Sequence, residues 1–248
     1  MNREIFYHLN SSRFFFWIFA LIFCCQLFFS NHFHGVQAKI EIVPPAPSKQ
    51  SAAILSFGDN EFLFRILSSR LQNSGDVFAG FVSLKNYNYA RIYDWMTMLD
   101  GLNNQSRLVP ALASYYYSQT QQIEDVRYVI KYLEEHSEKN IDANWWWLFQ
   151  AVFIAKDILK DLDLALKLSE KLAQNNAENA PLWTKQMPAF ILEKQGRGCL
   201  AFKAIRNLIE QSENGARKIS ASEMEFMRYF IKDRLQKLQN QKFNPDKC

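Results

Sequence analysis

Histidine is nearly missing from the body of this 248-residue chain: of four, His8, His32 and His34 lie in the first 38 positions, leaving only His136 beyond them. Ser-His-Asp and Cys-His nucleophilic sites, and zinc sites built on several histidines, need imidazoles that the chain body lacks. Glycine and proline are also few, eight and seven, which argues against an all-β fold with many tight turns. Cysteine is rarer still. Cys24 and Cys25 sit in an apolar run, and Cys199 and Cys248 stand alone, so neither a metal-ligand spacing nor a disulfide framework is present. A Cys199–Cys248 bridge stays open, although Cys199 is expected to pack as a small apolar side chain in a helix. An excess of one charge is lacking too. With 29 basic and 25 acidic residues interspersed, the net charge is +4. No basic stripe of the kind that holds nucleic acid is there.

These gaps leave no expected catalytic residues, no metal site and no cofactor, and the chain is not expected to be an enzyme. The carboxylate pairs Asp161/Asp163 and Glu134/Glu135 fall at helix ends or on solvated faces, and nothing singles one out for glycosidase-like chemistry. His136, in the last turn of an expected helix, is read as complementing a helix C-terminus. Gly196 and Gly198 bracket a turn and are too sparse for a phosphate loop.

What is plentiful is aromatic and apolar material. There are 21 Phe, 10 Tyr and 6 Trp, enough to mark a folded domain rather than a disordered chain. The first part of that material is a leader. Arg3 and Arg13 precede an uncharged run from Phe14 to Ser30, and Val36 and Ala38 offer small residues to a signal peptidase before Lys39. The run is also long enough for a signal anchor with its N-terminus inside. Residues 1–38 are therefore a signal peptide or an anchor, with the rest of the chain exported. A lipidated cysteine is rejected, because the bulky Phe23 precedes Cys24. Pro44, Pro45 and Pro47 then suggest a Pro-containing linker over 39–57.

From Gly58 to about residue 240 the apolar residues recur at helical spacing, and 241–248 reads as a tail. Ser220 and Glu223 form an S-x-x-E capping signal for the last helix. Pro188 is expected to lie inside a helix and bend it. The helices fall into pairs, and a shift of 36 residues superposes Trp147 on Trp183 and Ala165 on Ala201. It also places Asp125 on Asp161 and Leu172 on Leu208. A helix–turn–helix period of that size marks a helical solenoid.

Over about Asn86 to Ser212 these residues resemble the tetratricopeptide repeat family, with the best unit at Trp147–Asn176. The bulky aromatic early in the first helix, and Ala165 and Ala201 early in the second, carry the likeness. The sequence departs from that family at Phe153, where a small residue is usual, and in its longer period. Stretches such as "LKNYNYARIYDWMTMLD" and "PLWTKQMPAFILE" also look like an exported bacterial family. The resemblance implies an all-α fold: a right-handed solenoid of antiparallel helix pairs with a period of about 36 residues. It also implies a concave face, lined by first helices, that binds protein partners.

The run Trp145–Trp146–Trp147 fits that expectation. Three consecutive helical residues sweep about 200°, more than one buried stripe accepts. Trp147 is expected in the repeat core, Trp146 against the preceding pair, and Trp145 facing outward. Tyr116, Gln119 and Trp145 are the candidate partner-binding residues. The expected function is non-enzymatic protein–protein interaction or assembly in the cell envelope. The alternative is a carrier of a small apolar ligand or lipid in an aromatic-lined concavity.

Overall fold

The computed structural model describes residues 2–33, 41–77, 80–174, 179–213 and 220–239. It separates into two compact units, Met1–Glu41 and Ile42–Cys248. In the first, α1 (Asn2–Phe33) is a single helix. Its Phe14–His32 stretch has a mean hydropathy of 1.9 and no buried residue. Nineteen residues rise about 28 Å along a helix, close to the thickness of a bilayer core. By length and composition this helix can serve as a signal or as an anchor. The expected cleavage site at Val36–Ala38 and the tail 241–248 lie outside the described residues.

Among the described residues, the regular structure of the second unit is helical apart from two two-residue strands, Asp76–Val77 paired antiparallel with Gly80–Phe81. Its helices are α2 (Lys49–Leu55), α3 (Asn60–Gln72), α4 (Tyr89–Leu102), α5 (Leu108–Ala111) and α6 (Val126–Lys139). After these come α7 (Ile141–Phe153), α8 (Leu162–Gln174), α9 (Met187–Lys194), α10 (Gly198–Glu213) and α11 (Ala221–Gln239). Local chemistry starts them. The side chains of Asp59, Asn88 and Asn140 accept from the backbone N–H of Phe62, Arg91 and Ala143, and Asp161 does the same for Leu164. Each satisfies an orphan donor of a first turn. At α11, Ser220 accepts from Glu223 N, but Glu223 takes its bond from the Ser220 hydroxyl, so only half of the expected box forms.

Packing follows sequence order. From α6 to α11 each helix lies on its chain neighbour, and α3, α4 and α6 form a similar series. The main core runs from Val43 to Leu172 and takes in Ile191, while a smaller one joins Ala189, Leu192, Ala201, Ile205, Met227 and Phe230. Ala165 and Ala201, superposed by the repeat, are both fully buried.

Several elements differ from expectation. Pro188 does not bend a helix. The segment is divided into a 3₁₀ turn, Leu182–Gln186, and α9, with Pro188 in the opening turn of α9, where its missing N–H has no helical partner to lose. The four-residue α5 and the longer α7 both continue into π turns, Leu112–Tyr116 and Ile154–Ile158. Cys199 is disulfide-bonded rather than a free apolar filler. Cys248, the other cysteine of the bridge left open by the sequence, lies outside the described residues.

The largest difference is in the stretch expected as a linker. From Ile42 onward it is built into the domain. Val43 is buried, and its carbonyl accepts from Arg91 Nη1 at 3.0 Å. The Pro44 carbonyl accepts from Trp95 Nε1 at 2.7 Å. Three prolines favour an extended backbone whose carbonyls find no partner within their own segment. The donors on α4 satisfy them, and the segment becomes a strap. Ser48 then caps α2.

Candidate functional site

The tryptophan run is the centre of an aromatic strip on the surface. Trp147 faces inward and is buried, with its ring 6.2 Å from Tyr115. Trp146, turned about 100° from it, is at the surface. Its Nε1 donates to the Tyr115 hydroxyl oxygen at 3.0 Å. Trp145 does not face outward as expected. It is half-buried against the core, edge-on to Trp183 at 6.0 Å and to Trp146 at 5.7 Å. A half-buried position follows from its neighbour in the next segment: Trp183 fills the space into which Trp145 would otherwise project.

One turn further along α7, Phe149 meets Trp146 at 5.3 Å and Trp183 edge-on at 4.9 Å. Phe153, at i+7 from Trp146, is on the same helix face and exposed, with Lys156 Nζ 5.7 Å above its ring. Tyr115, Trp146, Phe149, Phe153 and Trp183 thus come from three segments of the chain, with α6 and α8 between them. Tyr115 is carried by the first π turn, and Phe153 precedes the second. Such turns add a residue to the helical repeat and recur at functional sites.

Tyr116 and Gln119 belong elsewhere. The Tyr116 ring is exposed and stands 5.1 Å from Tyr117, and Gln119 Nε2 donates to Ser118 Oγ at 3.0 Å. They adjoin a tyrosine cluster with a structural part. Tyr117 is fully buried and donates to the Leu71 carbonyl at 2.7 Å, while Tyr89 donates to the Tyr117 carbonyl at 2.8 Å. Burial pushes the Tyr89 phenol up to about 12 and the Tyr117 phenol higher still. Both stay neutral and act as hydrogen-bond donors. The three expected site residues are therefore not one group: Trp145 adjoins the strip, and the other two flank the tyrosines.

A buried polar constellation went unpredicted. Asp100 of α4 accepts from the Tyr132 hydroxyl at 2.9 Å and from Lys139 Nζ at 3.0 Å, and its Oδ2 lies 2.7 Å from His136 Nδ1. His136 and Tyr132 are each 1% exposed. Burial and the Asp100 carboxylate push the Tyr132 phenol well above its ordinary value. The set joins α4 to α6: His136 stands in the last turn of α6, as expected, and its Nδ1 meets Asp100. A signal for it was present: Asp100 continues the Ile92–Met96 spacing of a buried stripe, and His136 follows Val129 and Leu133 in the same way.

The strap forms one side of a half-open cleft of about 750 Å³. Pro45, Pro47 and Ala52 form one wall, Tyr93, Met98 and Leu102 of α4 the other, and Lys49, Arg91 and Asp94 supply polar groups. Its lining is largely aliphatic, and Tyr93 is its one aromatic residue. Among the described residues no group of three or more His, Cys, Asp or Glu is placed to hold a metal ion. Comparison with known protein families, characterised proteins and solved structures finds no match to this chain.

Proposed function

We propose that this is an exported or membrane-anchored, non-enzymatic interaction protein, a divergent tetratricopeptide-like right-handed solenoid that holds a protein partner of the cell envelope along its aromatic strip. The observation that carries this reading is the strip itself. Tyr115, Trp146, Phe149 and Trp183 come from alternate segments, 31 to 34 positions apart, and share a continuous, partly exposed surface. Rigid aromatics supply contact area at little entropic cost, and binding hot spots are rich in Trp and Tyr. Two further facts support the compartment. The apolar helix α1 has the length of a signal or an anchor, and Cys199 is disulfide-bonded, a state that persists outside the reducing cytoplasm. Affinity capture with full-length tagged protein tests the proposal. Wild type is expected to retain discrete protein partners that a Trp146→Ala, Phe153→Ala variant loses. Equal capture by both would overturn it.

A second reading is favoured by the cleft. About 750 Å³ is within the size range of small-molecule sites, and its aliphatic walls suit an apolar ligand. A small molecule released from the purified protein on denaturation would support a carrier. No protein partner is then needed.

A further inference from the structure

We infer that the α2–α3 corner is a lipid-contacting surface that lays the domain against the bilayer entered by α1. Ile54, Leu55, Phe57, Phe62 and Ile66 are all exposed large apolar side chains within one short stretch, and Phe57 is 93% exposed. Concentrated apolar exposure of this kind marks an interaction surface rather than ordinary scatter. On α3 it is distinct from the buried face, which carries Leu63, Phe64, Leu67 and Leu71. Phe62 and Ile66 stand one turn apart on the other side.

The backbone holds Phe57 in this position. Its φ is +48°, and Gly58 follows at +87°. A phenylalanine in the left-handed region is disfavoured, yet the turn is fixed by Ser56. The Ser56 carbonyl accepts from Asp59 N at 2.7 Å, and its hydroxyl oxygen accepts from Gly58 N. A bulky ring is thus held out into solvent at a position where Gly or Asn would fit better.

Chain connectivity selects lipid as the occupant. Eight residues, 34–41, separate the end of α1 from the start of the helical unit, a reach of at most about 30 Å. The corner is built by the first two helices after that stretch. Exposed Lys49 and Arg70 on the same helices suit the anionic headgroup layer, while Arg65 is paired with Glu61, and Phe and Ile suit the layer beneath. The inference rests on α1 entering a bilayer.

The test uses full-length protein in vesicles of phosphatidylcholine and phosphatidylglycerol, the latter carrying a photoreactive diazirine in one acyl chain. Adducts are then mapped by mass spectrometry. Labelling is expected on α1 and on the peptide spanning 54–66, and not on the exposed Phe226 and Tyr229 of α11. Phe57→Asn suits the backbone, so its thermal midpoint should hold while the 54–66 adduct is lost. If that variant misfolds, Phe62→Ser replaces it. Labelling confined to α1, or equal on 54–66 and α11, overturns the inference and leaves the anchor standing. Labelling of 54–66 without α1 removes the anchor on which the inference rests and overturns it as stated. Labelling of neither removes both.

Discussion

Trp146 donates through its indole Nε1 to the hydroxyl oxygen of Tyr115 at 3.0 Å. The bond joins two segments 31 positions apart and fixes two partly exposed rings side by side. Adjacent tryptophans therefore have opposite duties. Trp147→Ala empties a core site and is expected to cost about 3–5 kcal/mol. Trp146→Ala removes a ring that is 38% exposed and one exposed hydrogen bond, so a smaller loss of about 1–3 kcal/mol is expected. Urea unfolding of the two variants checks the order, and equal losses would mean that Trp146 is also core.

The carboxylate of Asp100 is the shared acceptor for three side chains, two of them fully buried. Asp100→Ala leaves the Tyr132 hydroxyl and the His136 ring without it, and breaking such a buried set costs about 3–5 kcal/mol. The exposed pair Arg65–Glu61 gives the contrast, since a solvated surface pair contributes little. Denaturant midpoints of Asp100→Ala and Arg65→Ala should differ accordingly.

Acid stability follows from two depressed carboxyls. The backbone N–H of Leu164 and then Arg127 hold Asp161 below its ordinary 3.8. At Asp157 burial works the other way, but Lys156 and Lys194 outweigh it. A value lowered in the folded state means that both groups stabilise fully above the unfolded value of about 4. The contribution is lost as pH falls through the lower folded values. Asp161→Asn keeps the cap on α8 and removes the charge that Arg127 meets. Its urea midpoint should therefore fall less steeply below pH 4 than that of wild type. Parallel curves would contradict this.

Cys199 is in a disulfide, while Cys24 and Cys25 are free. Alkylation of the unfolded protein without reductant should label positions 24 and 25 and spare 199. Adding reductant should expose Cys199 and lower the thermal midpoint, since a structural disulfide typically stabilises by about 2–4 kcal/mol. A Cys199 that alkylates before reduction would count against export.

Helix content was legible because it depends on near neighbours, and Ser220 marked the start of α11 with a side chain that reaches only three residues ahead. The apolar length of α1 was equally plain. What escaped depends on distant partners. Three prolines read alone suggest a spacer, and only Arg91 and Trp95, nearly fifty positions on, turn it into a strap. Trp145 looked like the outward ring because nothing in α7 covers it; Trp183 does. Asp100 and His136 each broke an apolar pattern, but the pattern cannot say that they break it together. Phe57 was passed over because exposure and a positive φ belong to the folded backbone.

The central claim is that the aromatic strip meets a protein, and site-specific photocrosslinking in the producing cells tests it most directly. A photoreactive phenylalanine analogue would replace Tyr115 or Phe153 in the full-length chain, with Tyr229 of α11 as the comparison site. A discrete protein adduct from both strip positions, absent at Tyr229, is the predicted result. Adducts from Tyr229 with none from Tyr115 or Phe153 would contradict the account.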